Sequence, residues 1–351
     1  MKIAPPIVLG IETSCDDTAC ALLDGSGQVL SSVVSRQLAA HRPFGGVVPE
    51  IASREHLKNW MPVSTEALEK AGLSLADVDV VAATRGPGLI GALLVGLSLG
   101  KAMAFALDRP FHAMHHLEGH LYSPFLAPGC DPAARVPEEF VGLIVSGGHT
   151  SLTAVCGWSV ESMGETRDDA MGEAFDKVGK RLGLPYPQGP QVDQLAELGD
   201  ASRHRLTIPT CGGTLDFSYS GLKTQTIVEL EKLERSGVTY GPEASDFPME
   251  VLDLIAGFRA AAVEQLVDRL ERLRRDRPYS VLAVSGGVAA NRLLRSRLDE
   301  WAREKGIELR LVPLEYTADN AAMIAYAALL RQRRGLSDDP LEGDAESRIP
   351  F

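Results

Sequence analysis

Three of the chain's eight histidines lie within the six residues 115–120, in the sequence HHLEGH. His116 and His120 are four residues apart, so on a helix both imidazoles project from one face, about one turn apart. That spacing suits two neutral imidazole ligands of one divalent metal ion. A helix face with buried, hydrogen-bonded histidines has the same pattern, so the spacing alone leaves both interpretations open.

The same segment excludes one class of metalloenzyme. In H-E-x-x-H proteases the glutamate directly follows the first histidine. Here Glu118 comes two residues after His116, which turns it about 100° away from the required position on a helix. Glu118 therefore cannot take the place of the general base in a protease of that type.

A third metal ligand must come from another element, and Asp319 in the sequence YTADN is the candidate. It directly precedes the last predicted helix, at about residues 321–334. Aspartate, asparagine and threonine all favour the N-cap of a helix, so a capping role for Asp319 stays open as the alternative. One carboxylate with two imidazoles suits iron or zinc and leaves coordination positions for a substrate.

Two predicted strands end in the same triplet of residues. Strand 141–145 runs into Ser146-Gly147-Gly148, and strand 281–284 runs into Ser285-Gly286-Gly287, followed at once by a helical pattern. Glycines without a Cβ let backbone N–H groups approach an anion, and a helix N-terminus adds its positive dipole. The sequence contains no G-x-x-x-x-G-K-[ST] loop, so a Walker-type nucleotide site is excluded. These turns instead predict a different kind of phosphate-binding site.

Acidic residues crowd the segment GETRDDAMGEAFDKVGKRLG. We expect Asp168, Asp169 and Glu173 to lie on the solvated first turn of a helix, because helix N-termini favour acids. Asp176 follows Phe175 deeper in the pattern and is the better ligand candidate.

Other polar segments are weaker candidates for anion binding. Ser218, Ser220 and Lys223 in FSYSGLKTQ suit a phosphate contact, but such turns are common in ordinary loops. The basic clusters at residues 269–278 and 292–298 are the best local positive patches, although basic helix faces are usually just solvated.

The elements that position these groups alternate between strands and helices. Residues 7–10 and 19–23 predict a hairpin whose tip, ETSCDDT, is rich in carboxylates and hydroxyls. Further elements are expected as strands at 29–35 and 78–83 and as helices at 48–70, 89–107, 170–182 and 249–275. This order predicts a mixed α/β fold in two similar halves, with ligands at the carboxyl ends of the strands.

Composition limits the remaining possibilities. The chain has 351 residues, of which 45% are hydrophobic and 23% charged, which is typical of about two globular domains. Its net charge of −12 excludes a generally basic nucleic-acid-binding protein. Five scattered cysteines favour a reducing, cytoplasmic location. We expect no membrane span, because the apolar stretch 86–100 is too short, and the start of the chain shows no signal-peptide pattern.

Nine sequence blocks together resemble the tRNA N6-adenosine threonylcarbamoyltransferase family, whose members were formerly described as glycoproteases. They occur in order between about residues 7 and 326: VLGIETSCDDTACALLD, GGVVPEIASREHL, TRGPGLIGALLVGLSLGK, HHLEGH, LIVSGGHT, GEAFDKVGKRLGL, FSYSGLKT, AVSGGVAANRLLR and YTADNAAMIA. The resemblance implies two RNase-H-like halves of the actin, Hsp70 and sugar-kinase type around a central nucleotide cleft. The expected divisions are an N-terminal half at 1–125, a C-terminal half at 126–320, a helix at 321–335 returning to the first half, and an acidic disordered tail at 336–351.

The implied reaction moves a threonylcarbamoyl group from threonylcarbamoyl-AMP to N6 of the adenosine next to the anticodon, in tRNAs that read codons beginning with A. The implied partners are tRNA, a degenerate paralogue and a small P-loop ATPase. The family's metal ligands fall on His116, His120 and Asp319, with Fe²⁺ expected and Zn²⁺ as the alternative. Its substrate contacts fall on Ile144, Val145, Ser146, Gly147, Gly148, Asp176, Gly189, Asp193 and Asn291.

Two positions add to this interpretation. Asp16 lies at the hairpin tip, and we take it as the candidate for accepting the N6 proton. Gln188 departs from the family's usual YPGGP turn, which reads YPQGP here, and adds a side chain beside the implied ligand.

Two other functions suit the same fold. One is a small-molecule kinase or ATPase, which the histidine pair disfavours because phosphoryl transfer normally uses magnesium held by oxygen ligands. The other is a nucleotide-binding scaffold without catalysis.

Overall fold

The computed structural model describes residues 5–126, 135–241, 243–336 and 339–350. The chain divides into two compact units. Unit 1 comprises Met1–Pro137 and Val312–Phe351, and unit 2 comprises Glu138–Leu311. The boundaries thus fall at 137/138 and 311/312, whereas the sequence placed them at 125/126 and 320/321.

Unit 1 contains a five-stranded mixed sheet in the order β3-β2-β1-β4-β5. Its strands are β1 (Val8–Glu12), β2 (Asp17–Leu23), β3 (Val29–Arg36), β4 (Val80–Gly86) and β5 (Phe111–His115). The first three form an antiparallel meander, which includes the predicted hairpin, and β4 and β5 run parallel to β1. The ends of β1, β4 and β5 therefore meet at one edge of the sheet.

The helices of unit 1 are α1 (Leu38–His41), α2 (Pro49–Ala71), α3 (Ile90–Leu107), α4 (His116–Tyr122) and, after unit 2 in the chain, α10 (Ala321–Arg333). Buried side chains of the sheet and of α3, among them Leu9, Ile11, Leu93 and Phe111, form the core. Every residue from Ala321 to Leu330 is buried, because α10 lies against the sheet and α4.

Among the described residues, one helix is long and apolar enough to cross a membrane by length and composition. This is α3, with 18 residues and a mean hydropathy of 1.9, one third of it buried. It packs on the sheet of unit 1 through Leu93 and Leu97. A methyl group at Gly100 would lie 2.9 Å from Cβ of Ala83, so this glycine permits the close contact between helix and sheet.

Unit 2 repeats the sheet of unit 1, with the order β10-β9-β6-β7-β8. Its strands are β6 (Glu139–Val145), β7 (Thr150–Cys156), β8 (Ser159–Glu165), β9 (Val281–Ser285) and β10 (Glu308–Leu311). Again three strands form an antiparallel meander, β9 runs parallel to β6, and β10 runs parallel to β9. The shared order confirms the prediction of two similar α/β halves.

The helices of unit 2 are α5 (Met171–Arg181), α6 (Gly189–Ala196), α7 (Ser220–Arg235), α8 (Met249–Asp276) and α9 (Arg292–Lys305). The helix predicted directly after Ser285-Gly286-Gly287 begins later than expected. A 3₁₀ turn at Gly287–Ala290 comes first, and Asn291 then caps α9.

Within unit 1, the C-terminal segment packs against the end of β4 and the turn that follows it. The N–H of Glu346 donates to the Arg85 carbonyl at 3.0 Å, and the N–H of Gly88 donates to the Ser347 carbonyl at 3.3 Å. Ala345 is buried. The prediction of a disordered tail at 336–351 is therefore wrong for residues 339–350, which are held by backbone hydrogen bonds that an aperiodic, acidic composition does not reveal.

Gly10 on β1 allows α10 to pass directly over the sheet. A methyl group at Gly10 would overlap the Ala321 carbonyl oxygen and lie 2.9 Å from the backbone nitrogen of Ala325. Because backbone atoms cannot rotate aside, we expect Gly10→Ala to lower the free energy of unfolding by about 1–3 kcal/mol, measured by urea denaturation. Gly46→Ala is the matched control, since nothing lies within 4 Å of a Cβ there; equal losses in both variants would contradict the packing argument.

Candidate metal centre and glycine turns

The first two candidate ligands lie on α4, which begins directly after β5. His116 is its first residue and His120 lies one turn further, and both side chains are buried. Between them, Gly119 faces α10. A methyl group there would lie 2.9 Å from Cδ1 of Ile324 and 3.0 Å from Cγ of Met323. The glycine therefore lets α4 and α10 pack closely beside the two histidines.

Asp319 precedes α10 and reaches both imidazoles. Its Oδ1 lies 3.1 Å from Nε2 of His120 and 3.6 Å from Nε2 of His116. The cap of α10 is instead Asn320, whose side chain accepts from the N–H of Met323 at 2.9 Å. The capping alternative for Asp319 is therefore wrong.

The donor set of these three residues suits a transition metal. One ligand atom from each lies within 4.8 Å of the others, the histidines are buried, and Asp319 keeps a partly exposed side chain. Two imidazole nitrogens and a carboxylate oxygen match iron and zinc sites that keep positions open for a substrate. The residues that are present thus fit such an ion.

Glu12, at the end of β1, orients the first histidine. Its Oε2 lies 3.0 Å from Nδ1 of His116 and accepts from the Thr84 hydroxyl at 2.6 Å. The N–H of Ser14 donates to Oε1. With Nδ1–H of His116 donating to this carboxylate, Nε2 is left for a metal, as in carboxylate–histidine–metal arrangements.

Burial and opposite charge compete in setting the pKa values of this pair. Burial disfavours the ionised form of Glu12, but the neighbouring His116 outweighs it and holds the pKa of Glu12 below its ordinary value. Burial also opposes charge on His116, yet Glu12 and Asp319 together raise the pKa of His116 to about 9. Sequence reasoning missed Glu12. The available signal was an acid ending an otherwise apolar strand, because a buried carboxylate requires a partner.

The hairpin loop that carries Asp16 lies beside the same centre. Burial raises the pKa of Asp17 to about 8, and the negative charges of Asp319 and Asp16 add to the rise. His56 of α2 holds the loop, since its Nε2 lies 3.0 Å from the Cys15 carbonyl. Burial lowers the pKa of His56, so its neutral ring donates this hydrogen bond.

Glu118 is engaged elsewhere. Its two carboxylate oxygens accept from Nε of Arg331 at 3.0 Å and from Nη2 at 2.6 Å. This ion pair joins α4 to α10 and turns Glu118 away from the role of a protease base, as the spacing in the sequence predicted.

In unit 2 the two glycine turns are neighbours. Because β9 pairs with β6, with Ile144 beside Ser285, both turns lie at the same edge of the sheet. Gly286 has φ +93°, and a Cβ there would overlap the Val145 carbonyl. Gly147 and its neighbour Gly148 are exposed.

Not every expected contact in this strand is available to a ligand through its side chain. Ile144 and Val145 are fully buried in the sheet. Of these two residues, only the backbone can meet a substrate. Ser146 is also buried, and its Oγ accepts from the N–H of His149 at 3.1 Å, so it shapes the turn.

The other expected substrate residues of unit 2 lie around α6. Oδ1 of Asp176 accepts from the N–H groups of Gln188, at 3.1 Å, and Gly189, at 2.7 Å, at the start of that helix. Oδ1 of Asp193 accepts from Nδ2 of Asn291 at 2.5 Å. Gln188 itself is buried, and its Cβ occupies the space that a side chain at Gly179 would need.

The solvated interpretation is wrong for Asp169, which is buried and binds Lys223 at 2.6 Å. Asp168 is exposed as expected, but it also accepts from the hydroxyls of Ser218 and Ser220 at 2.6 Å. These contacts tie the FSYSG segment to the start of α5. The two serines and the lysine considered for phosphate are therefore occupied by acids of the same unit.

Two units that share one strand order give the chain an α/β fold of the actin, Hsp70 and sugar-kinase type. Solved structures show the same fold. HypF from T. kodakarensis has a TM-score of 0.62 at 12% identity over 93% of this chain and 48% of its own. The dehydratase component A of Acidaminococcus fermentans has a TM-score of 0.52 at 16% identity, over 94% and 99% of the two chains. A glucokinase from Streptomyces griseus has a TM-score of 0.50 at 12% identity, over 93% and 100%.

Sequence comparison narrows this class to one family. The family described as tRNA N6-adenosine threonylcarbamoyltransferase matches residues 28–326. Proteins with this name from Syntrophobacter fumaroxidans and Brucella anthropi are 45% and 46% identical, covering 97% and 98% of this chain and 99% and 95% of their own. The chain belongs to the tRNA N6-adenosine threonylcarbamoyltransferase family. It is therefore a transferase that modifies tRNA.

Glu12→Gln tests the orienting role of this carboxylate. The amide keeps the size of the side chain but removes the charge that fixes the His116 tautomer. We expect metal affinity to fall about 10- to 100-fold, measured by competition with a chelator of known affinity. Glu50→Gln, at an exposed position of α2, is the control and should leave affinity unchanged. Unaltered metal binding in Glu12→Gln would remove Glu12 from the centre.

Proposed function

We propose that the chain transfers a threonylcarbamoyl group from threonylcarbamoyl-AMP to N6 of the adenosine next to the anticodon, in the cytoplasm. The observation that carries this proposal is the convergence of His116, His120 and Asp319 on one point of unit 1. Membership of the family supplies the tRNA substrate, and the donor and the role of the metal are the proposed parts.

The three ligands would hold one divalent ion, Fe²⁺ by preference and Zn²⁺ as the alternative. Such an ion supplies Lewis-acid stabilisation of negative charge on the donor's oxygens. Glu12 keeps Nδ1 of His116 protonated and so aims Nε2 at the centre. His116 and His120 are four residues apart on α4, so both imidazoles project from the same face. The close packing of α4 at Gly119 holds them in place before the substrate arrives.

An exocyclic adenine amine is a poor nucleophile, so the acyl group requires activation, which a mixed anhydride with AMP provides. In the proposed step, N6 attacks the carbamoyl carbon, the bond from that carbon to the phosphate oxygen breaks, and AMP leaves. The N6 proton passes to Asp16, on the loop that His56 holds.

Unit 2 offers the groups that suit the AMP part. The exposed backbone of Gly147 and Gly148 gives open N–H groups for a phosphate. Asp176 fixes Gly189 at the start of α6, and Asp193 of the same helix contacts Asn291. The common edge of the two glycine turns supports a single nucleotide site in this unit.

Replacing the ligands tests the role of the metal. We expect His116→Ala and Asp319→Ala to lose bound metal and to lower transfer more than about 100-fold, since altering even outer partners of such centres costs up to that much. Metal content is measured by elemental mass spectrometry, and transfer by mass spectrometry of nucleosides from tRNA incubated with the protein, its partners and the donor. His204→Ala, a histidine of unit 2, should keep both. Full transfer by a metal-free His116→Ala/His120→Ala variant would refute the mechanism.

We also propose that the degenerate paralogue and the small P-loop ATPase act with this chain, and that the paralogue docks on α2 and α3. These helices pack together where Ser53 meets Gly91. Their outer surface carries large exposed apolar side chains, namely Leu57, Met61, Ile90, Leu94 and Phe105. An apolar patch of this kind is typical of a protein–protein interface.

Charged substitutions test this surface. Met61→Asp and Leu94→Asp should each weaken the complex with the paralogue by at least about 10-fold, because burying such a side chain contributes roughly 1.5–3 kcal/mol. Complex formation is measured by light scattering after size-exclusion chromatography. Leu198→Asp is the control, at an exposed apolar position of unit 2. A complex that tolerates both charges would place the interface elsewhere.

A further inference from the structure

Arg259, a buried arginine, holds Asp193, which is one of the expected substrate residues. Arg259 itself is not among those residues. Arg259 lies on α8 and is only 9% exposed. Its Nη1 donates to Oδ1 of Asp193 at 3.0 Å and to the Asp193 carbonyl at 3.1 Å. Its Nη2 donates to the Ala196 carbonyl at 3.1 Å. One guanidinium therefore binds both the carboxylate and the last carbonyls of α6.

The helix α6 is thus held at both ends by opposite charges. Asp176 accepts from N–H groups at its start, and Arg259 donates to carbonyls at its end. Both charges match the direction of the helix dipole. The eight residues of α6, which include Gly189 and Asp193, are consequently fixed as a unit.

The hydrogen bonds also distinguish the two oxygens of Asp193. Oδ1 accepts from Arg259 and from Asn291, whose own Oδ1 accepts from the N–H of Leu294. Within the described residues, no hydrogen bond to Oδ2 is found, and the side chain is partly exposed. The carboxylate is therefore held by one oxygen and presents the other.

Stability alone is a poor explanation for this arginine. Burying an ion pair often costs as much as it returns, compared with apolar residues. Moreover, Nε of Arg259 is buried with no hydrogen-bond partner among the described residues. A buried ion pair that leaves one donor unpaired adds little stability, which favours a role for Arg259 in positioning Asp193.

We propose that Arg259 is a positioning residue that sets the preference for ribonucleotides: it holds Asp193 so that Oδ2 accepts a hydrogen bond from a ribose hydroxyl. This inference rests on the proposed nucleotide site in unit 2. A carboxylate that accepts from ribose hydroxyls is a common means of recognising a ribonucleotide. A hydrogen bond to a charged group is worth about 10- to 100-fold in affinity, so removal of the hydroxyl should cost that much.

The experiment is calorimetric titration of the full chain with AMP, 2′-deoxy-AMP and 3′-deoxy-AMP. The wild type should bind AMP at least about 10-fold more tightly than one of the deoxy analogues. Arg259→Met should weaken AMP binding and leave that analogue unchanged, so that the preference falls towards unity. Arg259→Lys, which keeps the charge but not the fork, should retain an intermediate preference. Asp193→Ala should abolish the preference, and adding Arg259→Met to it should change nothing further.

Arg297→Met is the matched control, because Arg297 forms a similar ion pair with Glu264 in the same unit, at 2.6 Å. It should keep the full preference for AMP. If Arg259→Met weakens AMP and both analogues by the same factor, the arginine is only structural and the inference fails. Should the wild type bind AMP without preferring it to either analogue, the inference fails while the nucleotide site stands. Absence of AMP binding to the wild type would instead overturn the proposed nucleotide site itself.

Discussion

The close packing of α10 on β1 and α4 is the constraint on which the centre depends. Asp319 is 199 residues from His120 in the chain, and only the path of α10 brings them together. Two glycines make this path possible, Gly10 below the helix and Gly119 beside it. The Glu118–Arg331 ion pair also joins α4 to α10. The ligand geometry thus depends on how closely these helices pack.

Charge around the centre explains why a cation suits it. Glu12 and Asp319 flank the imidazoles, and Asp17 is close enough to both carboxylates to feel their charge; burial makes this mutual repulsion costly. Without a metal, the charge is compensated by protons. The pKa of His116 rises to about 9 and that of Asp17 to about 8, although burial opposes charge on the imidazole. A divalent ion would replace those protons, so metal binding and proton release are coupled in this unit.

Most of the fold and the histidine pair were predicted from local patterns in the sequence. Apolar strands, helical periodicity and an i, i+4 spacing each lie within one element. The role of Asp319 was not decided in this way, since Asp319 and Asn320 are equally good caps and only the observed geometry assigns the cap to Asn320. The contacts of Glu12, Asp168 and Arg259 join distant elements, so no local pattern contains them. The ordered C-terminal segment escaped prediction for the same reason.

The order of the segments along the chain has a consequence for biosynthesis. Unit 1 is interrupted by all of unit 2, and the carboxylate ligand lies in its second part. A ribosome therefore makes both histidines, and then residues 138–311, before it makes Asp319. A nascent chain can hold the imidazole pair but not the full set of donors. The complete set of three donors therefore exists only after translation has passed Asp319.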